Sequence, residues 1–179
     1  MKTLYLHIGS HKTGTTSIQQ SLVQHRNILN AQNIAFCTIK PDGTNNDKGT
    51  VHQWINLKPF IEEQKSATID NPTAFASALG SHDESTVIAS SENFSFIGDE
   101  SVVEELFESL SRHFEQIKIV IYIRRQDKHA VSHHQEGAKS QWNAEIGYFK
   151  GVKALPTLEK SNFDYLNYEK KIGLWAKYF

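Results

Sequence analysis

Between an apolar run, Leu4-Tyr5-Leu6-His7-Ile8, and a helix-patterned stretch, the chain places Gly9-Ser10-His11-Lys12-Thr13-Gly14-Thr15-Thr16-Ser17. Two glycines, a lysine and several hydroxyl side chains at one strand-to-helix junction suit the binding of a tetrahedral anion. Such a junction points backbone N–H groups and the positive end of a helix dipole at one spot, and Lys12 adds a full charge. A plain turn needs the glycines but none of these donors.

A second set of anion-binding residue types follows the apolar run Ile117-Lys118-Ile119-Val120-Ile121-Tyr122-Ile123. Arg124 stands at that strand end, and Ser132 lies eight positions further on, in a segment patterned as a helix. A guanidinium fork matches phosphate oxygens and a hydroxyl on the first helical turns supplies another donor, so Arg124 and Ser132 are expected to converge on one phosphate. A third strand end carries Ser90-Ser91-Glu92. Glu92 is the favoured proton acceptor, which requires partial burial to raise its pKa toward neutrality. His11 is the rival base, although its place beside Lys12 suits shaping the cradle. Among the nine histidines, His129 and His133 stand at i, i+4, but no intervening glutamate or third ligand accompanies them, so no metal is expected.

The loop spacing resembles a P-loop: Gly9 and Gly14 are five positions apart, and Thr15 and Thr16 open the helix. The nucleoside triphosphate version has lysine directly after the second glycine. Here Thr15 stands there, and the lysine is Lys12, inside the loop. No strand ends in an aspartate to organise Mg²⁺.

These residues can act together only if their strands end side by side. Ile18, Leu22, Val23 and Leu29 recur at helical spacing to about Ala31, and Asn33-Ile34-Ala35-Phe36-Cys37 reads as a second strand, which makes a βαβ unit. Residues 40–48 form a polar loop, followed by a weakly helical, aromatic-bearing insert from residue 51 to about 80. Thr86-Val87-Ile88-Ala89-Ser90 is a third strand. Residues 100–114 then place Val102, Val103, Leu106, Phe107, Leu110 and Phe114 on one helical face, and residues 117–123 form the fourth strand. The alternation predicts an α/β fold of three layers, a mainly parallel sheet with helices on both faces and ligands at the carboxyl ends of its strands.

The loop from His11 to Ser17 and the block from Ile121 to Ser132 together resemble the cytosolic-type and bacterial sulfotransferases that use 3′-phosphoadenosine-5′-phosphosulfate (PAPS). The likeness covers residues 1 to about 135 and is loose beyond. It implies a P-loop NTPase-like fold in a single domain, 1–179, with PAPS as co-substrate and no metal required. Lys12, Thr13, Gly14, Thr15, Thr16 and Ser17 are then expected around the 5′-phosphosulfate, and Arg124 and Ser132 at the 3′-phosphate. The expected reaction moves the sulfuryl group to a hydroxyl of a carbohydrate or other small metabolite, with Lys12, Glu92 and His11 as the catalytic candidates. Trp54, Trp142, Phe60 and Tyr148 are candidates for an acceptor pocket, although aromatic residues more often belong to the core. The competing readings are a P-loop kinase or nucleotide hydrolase and a non-catalytic nucleotide-binding fragment.

Composition sets the outer bounds. The chain has 179 residues, 39% hydrophobic and 22% charged, with a formal net charge of −1, which fits one soluble globular domain and argues against general nucleic-acid binding. A single cysteine, Cys37, excludes an internal disulfide and reads as a small buried strand residue. No apolar run approaches the ~20 residues that span a bilayer and no signal peptide is evident, so the expected location is cytoplasmic. The last stretch places Tyr168, Ile172, Trp175 and Phe179 on one stripe and stops without a capping glycine or a further strand, so the domain is expected to be incomplete at its C-terminus.

Overall fold

Apolar strands that alternate with amphipathic helices build a four-stranded parallel sheet flanked by helices. The computed structural model describes residues 1–58, 66–137 and 164–179. Along the chain run β1 (Thr3–His7), α1 (Thr15–Gln24), α2 (Arg26–Ala31), β2 (Ile34–Cys37), β3 (Ile55–Asn56) and β4 (Thr68–Ile69). There follow α3 (Pro72–Gly80), β5 (Thr86–Ser90), α4 (Glu100–Leu110), β6 (Gln116–Val120), α5 (Gln126–Gly137) and α6 (Tyr168–Ala176). The sheet order is β2-β5-β1-β6, so β1 lies between β5 and β6. Among the described residues no helix is long and apolar enough to cross a membrane.

Register explains the two different faces of the sheet. Ala35, Val87, Leu4 and Ile117 lie in one row, and Cys37, Ala89, Leu6 and Ile119 in the next. This face shares one core with Phe75 and Leu79 of α3, Val103, Leu106 and Leu110 of α4, and Trp175 of α6. Burial of such side chains stabilises by about 1.5–3 kcal/mol each relative to leaving them exposed. Cys37 is buried there, and burial pushes its thiol up to about 11. The other face carries Tyr5, Ile88 and Lys118 in one row and His7, Ser90 and Val120 in the next. It is covered less completely, with Lys118 exposed and Tyr5 and Ile88 half-buried.

Several boundaries differ from the sequence expectation. The helix expected to run to Ala31 is two helices: at His25 (φ −102°, ψ 17°) the chain leaves the helical path, and the His25 ring shares Ser21 O with its own backbone N–H. Among its described residues the insert holds a short antiparallel pair, β3 and β4, as well as helical segments, the longest being α3, whose first turn is capped by the Asn71 side chain accepting from Ala74 N at 2.9 Å. α4 stops at Leu110, although Phe114 is still buried in the turn that follows. β6 ends at Val120, and Tyr122 and Ile123 are exposed, because its partner β1 has already turned into the loop. On α6 the buried positions are Lys171 and Trp175, while Ile172 is 43% exposed.

Candidate active site at the strand ends

The loop is stitched between the two neighbouring strands. Ile8 N donates to Val120 O and Tyr122 N to Gly9 O, both at 2.9 Å, while Ser91 N donates to His7 O at 3.0 Å. Gly9 has φ +103°, and a Cβ there would lie 3.2 Å from Glu92 Cα and O and from Ser95 Cβ. Both the backbone angle and the close approach require glycine. Gly14, at φ +91°, precedes α1, so no side chain caps the first N–H groups of that helix. Thr13 Oγ1 donates to Ser10 O at 2.6 Å and closes the loop on itself.

Opposite α1 sits Glu92, just past the end of β5 and only 6% exposed. Its carboxylate accepts from the Thr15 hydroxyl, from Gln19 Nε2 at 3.0 Å and from His52 Nε2 at 3.2 Å. His52 Nδ1 in turn lies 2.6 Å from Ser91 Oγ, which fixes the ring. Burial pushes the Glu92 pKa up, but the hydrogen bonds from His52 and Thr15 outweigh it and hold the carboxyl well below the usual range. The raised pKa expected for Glu92 is therefore corrected: the donors His52 and Thr15 keep it ionised.

Lys12 has φ +60° and its Nζ is 2.8 Å from Glu136 Oε2 on α5. Arg124 is exposed, and its Nη1 donates to Lys12 O at 3.2 Å. The structure thus brings Lys12, Thr15, Glu92 and Arg124 to one end of the sheet. Thr16 and Ser17 are exposed on the first turn of α1. Ser132 is half-buried on α5 and, among the described residues, bonds to neither Arg124 nor the loop. Trp54 belongs to the core, its Nε1 donating to Ile39 O at 2.7 Å and its ring packed on Phe75. Phe60, Trp142 and Tyr148 lie outside the described residues.

Behind the loop, His11, His129 and His133 are grouped around Tyr165. The Tyr165 hydroxyl lies 3.2 Å from His11 Nδ1 and accepts from His11 N at 3.3 Å, and its ring packs on both His129 and His133. Burial lowers the three imidazoles to about 3, 4 and 4 respectively, and the charge of Lys171 adds to the effect at each. His11 is therefore neutral near pH 7, and its Nδ1 faces the Tyr165 and Ser95 hydroxyls behind the loop. Because the unfolded chain binds these protons at ordinary pKa values, it holds more protons than the folded chain between pH 6.5 and about 4. Stability is expected to fall on acidification across that window, by about 1.4 kcal/mol per pH unit for each imidazole. Urea midpoints between pH 7 and 4.5 check this; a flat profile contradicts it.

Sequence reasoning missed His52, Gln19, Tyr165 and Lys171. Gln19 had a signal, since it lies one turn after Thr15 on the same face of α1. His52 had none, because only the fold carries the segment after the polar loop back across β5, where Val51 N bonds to Ser90 O at 3.0 Å. No protein-family model matches the chain, and neither a curated protein nor a solved structure matches it.

Proposed function

We propose that this chain is a sulfotransferase that moves the sulfuryl group of PAPS to a hydroxyl of a carbohydrate or other small metabolite. The observation that carries the reading is the meeting of Lys12, the uncapped start of α1, Arg124 and the ionised Glu92 at the ends of three adjacent parallel strands. Two cations on the outer side of the loop and a proton acceptor on the inner side are what sulfuryl transfer needs. The strand order β2-β5-β1-β6, with the glycine loop leaving the central β1, also agrees with a P-loop-like arrangement. The donor set fits the co-substrate, because lysine, arginine, hydroxyls and free N–H groups all complement phosphate oxygens.

Bound PAPS supplies a sulfuryl group activated by its link to phosphate. Lys12 and the N–H groups at the start of α1 neutralise the charge that develops on the phosphate oxygen when the S–O bond breaks. Arg124 and Ser132 bind the 3′-phosphate and fix the register of the nucleotide. Glu92, whose depressed pKa makes it a weak base toward the free hydroxyl, takes the proton late, once the acceptor oxygen has bonded to sulfur and become acidic, and His52 holds the carboxylate in place. The kinase reading is weaker, because the residue paired with Thr15 is a glutamate past the end of β5 rather than an aspartate at the strand end, and Thr15 itself stands where the loop lysine of a nucleoside triphosphate site would be.

Thermal stabilisation by adenosine 3′,5′-bisphosphate, ATP with Mg²⁺ and AMP, at equal concentrations, tests the reading. The bisphosphate is expected to stabilise most; a ligand at a hundred times its Kd adds about 2.7 kcal/mol. Arg124→Ala is expected to reduce the advantage of the bisphosphate over AMP to nothing. A preference for ATP with Mg²⁺ overturns the proposal.

A further inference from the structure

A buried ammonium lies on the inner side of the anion loop. Tyr168, Lys171 and Trp175 form the inward stripe of α6, so Lys171 takes a place where helical spacing calls for an apolar side chain. It is 7% exposed. Its Nζ donates to Ser10 Oγ at 3.4 Å and to Tyr165 O at 3.3 Å, and lies 4.3 Å from the centre of the Tyr165 ring. Ser10 is itself fully buried in the loop, and its carbonyl holds the Thr13 hydroxyl. Among the described residues no carboxylate forms an ion pair with Lys171. A buried charge with no counter-ion opposes folding and is retained only for a reason.

We propose that Lys171 is a positioning residue of the anion cradle: acting through Ser10, it sets a second positive charge behind the loop, and its counter-ion is the phosphate or phosphosulfate group held by residues 9–17. The titratable groups that surround it are His11 on the loop, His129 and His133 on α5, and Tyr165 ahead of α6. Burial keeps those imidazoles neutral and pushes the phenol up, so Lys171 supplies the charge on this side. Burial also lowers the lysine to about 8. An anion across the loop raises its proton affinity again, and binding above pH 8 therefore takes up a proton.

The inference rests on the anion site proposed above. Its test is the affinity for adenosine 3′,5′-bisphosphate and for inorganic pyrophosphate between pH 7 and 9.5, in wild type, Lys171→Met and Lys171→Arg. Wild-type affinity is expected to fall up to about tenfold per pH unit above pH 8. Lys171→Met should bind roughly 10- to 100-fold more weakly at pH 7, a loss of the size that follows removal of the hydrogen-bond partners behind metal ligands. It should lose the pH dependence and yet melt at a higher temperature without ligand, because an uncompensated buried charge has gone. Lys171→Arg should restore affinity at pH 7. Unchanged affinity and pH profile in Lys171→Met, or failure of arginine to rescue, overturns the proposal. Pyrophosphate binding that depends on Lys171, with no binding of the bisphosphate, upholds it and overturns the nucleotide reading instead. Binding of neither anion by the wild type overturns both.

Discussion

Lys12→Ala is expected to lower the rate of the proposed sulfuryl transfer by about 10²–10³-fold while leaving the fold intact. The side chain leaves the loop at φ +60° and reaches Glu136 on α5, in an ion pair that is about one-third exposed. A pair of that kind contributes 0–1 kcal/mol to stability, so its loss moves the melting temperature little. In the proposed reaction the charge matters during transfer instead. Negative charge grows on the departing phosphate oxygen, and removing one preorganised donor from such a position costs about 2.7–4 kcal/mol of transition-state stabilisation. Steady-state kinetics should show the loss in kcat rather than in KM, since the interaction strengthens as charge develops. An equal loss of bisphosphate affinity and rate would assign Lys12 to ground-state binding alone.

Glu92→Gln is expected to abolish most transfer, by about 10²–10⁴-fold, and also to destabilise the chain. The two effects have separate causes. Without a carboxylate no group at the end of β5 can take the acceptor's proton. The amide also brings a donor toward the Gln19 and His52 donors, and a buried polar group left unsatisfied costs about 1–3 kcal/mol. Acid titration separates the charge from the hydrogen bonds. The folded-state pKa of Glu92 is depressed below its ordinary value of 4.5, so the stability it contributes is fully present above that pH and is lost as pH falls below it. Wild type should lose that increment below about pH 4.5, and Glu92→Gln should lack it. Bisphosphate binding should survive in Glu92→Gln; its loss would make the residue part of the cradle instead of the base.

The strands were the most legible elements. Thr86–Ser90 is bounded by the same residues in sequence and structure because its apolar run is flanked by polar residues at both ends. The turn at His25 was hidden, since the apolar spacing continues through it and the change shows only in the backbone angles of that one residue. β3 and β4 have two residues each, too short for any period to show. At the site, the types of the donors were readable while their partners were not. Glu92 stood out as a carboxylate past a strand end, yet the sign of its pKa shift depends on His52 and Thr15, which come from two other parts of the chain. Ile172 and Lys171 were exchanged for the same reason: the stripe of α6 fits either rotation of the helix until Trp175 is seated against Phe94.

By itself the sequence determined the alternation of strands and helices, the glycine loop after β1 and the residue types gathered at three strand ends, because local periodicity and backbone freedom are properties of neighbours along the chain. Only the tertiary structure decided that β1 lies between β5 and β6, that Glu92 is ionised, and that Lys171 is buried against Ser10. Strand order is set by which apolar faces pack together, and the charge of a buried group by the donors that other segments bring to it.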